Sequence, residues 1–206
     1  LRISINFLML GFAYLIGTQL SLSLWVFYLL HALQDGLMRS LHLNHVEELG
    51  QWSEAGIGHQ MIGAFAVFVG YGIWTARDHL RAVIRQCLRP EKDNAEIASY
   101  RFCVLGFIAG ASCMVWWLWR SGLSAWIAVL VVALALCILV ALARIVAEAG
   151  TPTITPGMIP AGFTVSTLGT PILGAQGMVS LGYTFVWIGD LLVFMMAPIA
   201  NSIRML

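Results

Sequence analysis

The chain has 206 residues, 60% of them hydrophobic and 10% charged, with a net charge of +1. Soluble domains carry about 25% charged residues, so these side chains call for hydrocarbon rather than water as their main solvent. A balance this near neutrality also excludes the polycationic character with which proteins hold nucleic acid.

The first apolar block covers 3–38. As one helix it would measure about 54 Å at 1.5 Å per residue, too long for a ~30 Å hydrocarbon core. Gly17, Thr18 and Gln19, with Ser21 and Ser23, interrupt it. The block is therefore either a hairpin of a short segment and a full span, or a helix broken near Gly17. Its better helical half is 24–37. Asn6 and Gln19 could hydrogen-bond a solute, or glue helices together. His31, Gln34 and Asp35 read as interfacial. Because the apolar character begins at Leu1 and no signal peptide is visible, the chain reads as part of a longer polytopic protein.

A polar loop follows over 39–54. There His42 and His45 stand at i, i+3 near Glu47 and Glu48. A hydrated loop is the plain reading and a weak metal site the alternative; no metal or other cofactor is expected. The next span is 56–76. It continues as an amphipathic helix over 77–88, where Arg77, Arg81 and Arg85 recur on one stripe. Pro90 ends it, and 91–96 is a charged turn. The stretch 77–97 therefore forms an amphipathic helix and charged loop.

The third span is 101–119, with Trp116, Trp117 and Trp119 as an aromatic belt. Ser121-Gly122 turns the chain into the fourth span, 123–143. Loop 77–101 holds six Lys or Arg and loop 39–54 holds one. The positive-inside rule then makes 77–101 cytoplasmic, places Arg144 near the cytoplasmic face and puts Arg120 near the outer one.

The stretch 151–177 is apolar yet contains Pro152, Pro156, Pro160, Pro171 and five glycines. Irregular backbone has no hydrogen-bond partners in lipid, so this broken or re-entrant segment must be covered by protein, line a wet cavity or lie at the interface. The last span is 178–199. The whole reads as one all-α transmembrane bundle over 1–206, with five to six spans and one broken segment.

Small residues mark helix contacts in lipid. Gly106 and Gly110 form a G-x-x-x-G, Gly56, Gly63 and Gly70 recur every seven residues, and Gly182 and Gly189 do the same. His59 shares a face with Gly63 and Gly70 and should point into the bundle. A neutral imidazole bonded across helices is the plain reading; a proton relay or solute contact is the functional one.

Arg144 and Glu148 lie one helical turn apart, in the less favourable order for an exposed pair. They are either a snorkelling interfacial pair, or a site where Glu148 takes a cationic group or a coupling proton before the Gly150–Pro152 break. Asp190 is the acid inside the last span. Insertion scales charge a carboxylate at such depth roughly 2.5–3.5 kcal/mol, so it needs a partner, with Arg144 and His59 as candidates. The cysteines Cys87, Cys103, Cys113 and Cys137 are scattered and read as inert thiols. No phosphate loop, nucleophile elbow, zinc-protease motif or paired catalytic carboxylates occur, so an enzyme is not expected.

Three features fall in a shared order: Ser21-Leu22-Ser23-Leu24-Trp25-Val26-Phe27-Tyr28-Leu29-Leu30, the span that closes in Trp74-Thr75-Ala76-Arg77-Asp78-His79-Leu80, and Arg144-Ile145-Val146-Ala147-Glu148-Ala149-Gly150 with its proline-rich sequel. In this the chain resembles the C-terminal part of large bacterial multi-pass membrane proteins of unknown function, some of them described as oligopeptide-transporter-like. The resemblance implies transport by analogy and a bacterial cytoplasmic membrane. The expected function is secondary transport of a small, peptide-like solute past Arg144, Glu148, Asp190, His59 and Gln19. The alternatives are an accessory subunit of a respiratory or photosynthetic complex, and a pigment- or haem-binding subunit using His59 or His31. The expected partners are the bilayer and either the rest of a larger protein or other membrane subunits.

Overall fold

The computed structural model describes residues 7, 11, 14, 17–42, 55–88, 100–149, 156–189, 199 and 202. Its elements are α1 (Thr18–Ser40), α2 (Ala55–Thr75), α3 (Arg77–Leu88), α4 (Tyr100–Arg120), α5 (Ala125–Ala149), α6 (Pro160–Leu168) and α7 (Thr170–Ile188). Among the described residues the fold is all-helical. The chain divides into two units, Leu1–His45 and Val46–Leu206.

In the first unit α1 starts directly after Gly17, so its beginning coincides with the polar interruption. An exposed Arg39–Asp35 pair, 2.9 Å apart, lies near its end.

In the second unit α2, α4 and α5 are long and apolar enough to cross a membrane. Three such helices among the described residues are fewer than the five to six expected. Gln, His and Asp side chains lower the apolarity of α1, and glycine, serine, threonine and glutamine lower that of α7. The expected span 178–199 is described only to residue 189 and at 199.

Helix α5 forms the centre of this unit. Ile127, Ala128, Val131, Ala135, Ile138, Ala141 and Leu142 are buried, at the three- and four-residue spacing of one helix face. They pack against Phe65 of α2, Leu118 of α4, Ala161 of α6, and Leu173, Leu181 and Ile188 of α7. Among lipid tails such contacts gain little from the hydrophobic effect, so close van der Waals fit must hold the helices together.

The α4–α5 hairpin closes on a glycine cap. Gly122 takes φ +110°; its N–H donates to the Trp119 carbonyl at 3.2 Å, and the Leu123 N–H donates to that of Leu118 at 3.2 Å. This is the Schellman pattern, with Leu118 and Leu123, both buried, as its apolar contact. The Ser180 hydroxyl of α7 donates to the Ser121 carbonyl at 2.6 Å and fastens the turn to that helix. A side chain at position 122 is strained by the backbone, while its Cβ would meet Gln176 at ordinary contact distance. Gly122→Ala is expected to cost about 1–2 kcal/mol, read as a shift of the unfolding midpoint in mixed detergent micelles.

Between Pro156 and Gly177 the chain is broken twice. Proline at the first position of α6 follows an extended Ile159 and costs no donor there. Gly169 (φ +76°) ends α6, and Gly174 (φ +64°, ψ 173°) interrupts α7 after one turn. Both conformations suit glycine and strain other residues. Protein covers the first part of this segment, where Pro156, Met158, Pro160, Ala161, Gly162 and Thr164 are buried, while Pro171, Ile172, Gly174, Ala175 and Gln176 are exposed. Thr164 satisfies its hydroxyl on the Pro160 carbonyl at 2.8 Å.

Candidate functional site

The two polar constellations of the second unit both involve α2. The first lies in the last turns of α5. Arg144 Nε donates to Glu148 Oε1 at 2.7 Å, so the helix continues past the apolar run and brings the pair together at i, i+4. The guanidinium then reaches across to α2, where its carbon sits 4.8 Å from the centre of the Phe68 ring. Its Nη1 occupies the space a Cβ would need at Gly72. Gly72 thus provides the slot for the arginine, and the Phe68 ring supplies a face for its charge. The side chains of Arg144 and Glu148 are 37% and 58% exposed. Where it meets water, such a pair adds about 1 kcal/mol or less. The ion pair is made through Oε1.

The second constellation closes α2 onto the broken segment. His59 Nε2 and Ser166 Oγ of α6 are 2.9 Å apart. The tautomer decides which of the two donates. The Phe163 ring lies 5.1 Å from the imidazole at 58°. The Gly157 N–H donates to Met61 Sδ at 3.0 Å, and Met158 fills the space beside Gly58. Ser166→Ala is expected to cost about 0.6–1.7 kcal/mol, the range of interhelical hydrogen bonds in membranes, read by the same micellar unfolding.

The 13 residues from His59 to Gly72 span about 20 Å of helix. His59 and the Arg144–Glu148 pair are therefore separate sites. Gln19 lies in the first turn of α1, in the first unit. Asp190, Asn6, Pro152, Pro90 and the 91–96 turn lie outside the described residues. So do His45, Glu47 and Glu48, the expected companions of His42. Among the described residues no group of three metal-ligating side chains occurs, and the four cysteines are free.

A Cβ added at Gly56, Gly63, Gly70, Gly106, Gly110 or Gly182 meets nothing within 4 Å, and one at Gly189 meets only Phe185 of its own helix. The close approaches to other segments occur instead at Gly58, Gly72, Gly122 and Gly157. The first six therefore line open faces, ready for lipid or further helices.

At the opposite end of the unit, Trp116, Trp117, Trp119 and Trp126 are exposed around the Gly122 turn, and Trp117 meets Tyr183 of α7 at 6.1 Å. On α3, Arg77 lies 5.0 Å over Trp74, and Arg81 pairs with Asp78 at 3.2 Å. Arg101 Nε donates to the Cys87 carbonyl at 2.6 Å, tying the start of α4 to the end of α3.

A family model described as "Family of unknown function (DUF6785)" matches residues 1–206, and the chain belongs to that family. No curated protein and no solved structure matches it.

Proposed function

We propose that this member of the DUF6785 family is the membrane-embedded part of a secondary-transporter-like protein that moves a small solute, with peptide-like molecules the first class to test. The three apolar helices support a membrane protein. The observation that carries the transport reading is the half-exposed Arg144–Glu148 pair braced on α2, in a unit that also contains a doubly broken helix. In transporters ionisable residues and broken helices mark the solute path; here His59 lies beside the broken segment, and the Arg144–Glu148 pair stands toward the other end of the same unit. Glu148 would take the coupling proton or a cationic group of the solute on its carboxylate. Gly169 and Gly174 would let α6 and the first turn of α7 rock against α2 and α5. His59 would clamp α6 to α2 in one of the two states.

The fuller architecture belongs to the same proposal: five to six spans, loop 77–101 in the cytoplasm of a bacterial cell, and the rest of a larger polytopic protein around the open glycine faces. The test is uptake of labelled di- and tripeptides into vesicles bearing the full-length protein, with and without Glu148→Gln. Equal proton-coupled uptake by both would overturn the reading.

One observation favours a second reading. Six glycines face open space on three helices, as they would in a scaffold subunit packed against others. Co-purification at fixed stoichiometry with redox subunits would favour it.

A further inference from the structure

Between α4 and α5 lies an open groove of about 530 Å³. Ser112, Trp116 and Trp119 line it from α4, and Ala125, Val129 and Ala133 from α5. It runs from Ala111 to Trp119 on one helix and from Ala125 to Leu136 on the other, about 12–17 Å at 1.5 Å per residue. The hydrocarbon of one leaflet is about 15 Å deep, half of the ~30 Å core. The groove's upper end sits at the Gly122 turn among exposed tryptophans, the residue type that settles at headgroup level. The groove therefore starts at the interface and ends near the midplane, which is the reach of one acyl chain.

Helix spacing puts a cation next to the lining residue Trp119, at the groove's upper end. Arg120 follows Ser112 and Trp116 at four-residue steps, one turn nearer the headgroups. It is exposed, and among the described residues no carboxylate pairs with it. Arginine binds phosphate through paired N–H donors. An anionic lipid offers both parts at once, an apolar chain for the groove and a phosphate for this charge. We infer that the groove holds one acyl chain of an anionic phospholipid, whose phosphate rests on Arg120. The site is separate from the Arg144–Glu148 pair and does not depend on the transport reading.

The test is native mass spectrometry of the full-length protein in mild detergent, titrated with phosphatidylglycerol and phosphatidylcholine of identical chains. The wild type should retain one phosphatidylglycerol about fivefold more tightly than phosphatidylcholine, the contribution of one basic residue at an anionic surface. Arg120→Gln should remove that preference. Ala133→Phe, which fills the groove and leaves Arg120 in place, should lower retention of both lipids. An unchanged preference in Arg120→Gln, or unchanged retention in Ala133→Phe, would overturn the proposal. So would a photo-crosslinker placed at Trp116 that captures a polypeptide in native membranes in place of lipid.

Discussion

Replacing Glu148 with glutamine is expected to lower coupled uptake by the full-length protein at least tenfold while leaving its amount in the membrane and its unfolding midpoint nearly unchanged. The reason lies in the geometry. Glutamine has the shape of glutamate and still offers Arg144 Nε a carbonyl oxygen at the position of Oε1, now 2.7 Å away. The arginine keeps its seat on Phe68 and Gly72, so packing between α2 and α5 survives. Breaking a fully buried ion pair costs about 3–5 kcal/mol. This pair is 37% and 58% exposed, which keeps the stability change within about 1 kcal/mol. What glutamine cannot do is accept a proton or balance a solute cation. A variant that folds but does not couple separates chemistry from scaffold. A variant that fails to assemble, with uptake per folded molecule unchanged, would leave only the structural role.

The arrangement of the pair also shows what the sequence could and could not convey. Spacing alone put Arg144 and Glu148 on one stripe, because an i, i+4 relation is a property of the helix. Their brace on α2 was not readable, since Phe68 and Gly72 are more than 70 positions away. The same holds for His59, whose partner Ser166 is 107 residues downstream. Hydropathy located the three apolar helices to within a few residues, since a run of about 20 apolar side chains has few other uses. It stopped the last of them at residue 143, while α5 continues to Ala149. An arginine that can pair one turn along and set its guanidinium over a neighbouring ring does not end a helix.

Glycine periodicity was the weaker guide. Seven-residue spacing singles out one face of α2, Gly56, Gly63 and Gly70, but cannot say what that face meets. Gly58 and Gly72 carry the contacts; they too stand on a seven-residue spacing, but Phe65 occupies the position between them. In 151–177 the prolines announced a break without saying that Pro160 would begin a nine-residue helix. Proline at a first helical position and proline inside a helix look alike until the register is known.

The difference between the two kinds of glycine yields the second large expected effect. Gly58→Leu should destabilise the protein by more than the roughly 1–3 kcal/mol typical of an overpacked core, and should expose the broken segment. A Cβ at position 58 would stand 2.5 Å from Met158 Cε and 2.8 Å from Met158 Cβ. The methyl end can swing aside, but Met158 Cβ is fixed to its backbone, so α2 and the segment before α6 must separate. Separation pulls on the bonds beside it, Gly157 N–H to Met61 Sδ and His59 to Ser166. The cost then includes their loss as well as the steric term. A cysteine introduced at Thr164, a position with no exposed surface, should resist maleimide in the parent and react in the Gly58→Leu background. Gly63→Leu is the matched control, five positions along the same helix with nothing within 4 Å of its Cβ. It should leave Thr164→Cys protected. If both leucines expose the cysteine alike, crowding at Met158 is not what holds α6 in place. If neither does, the clasp of α2 on the broken segment is loose enough to absorb a side chain, and the close fit at Gly58 contributes little to the fold.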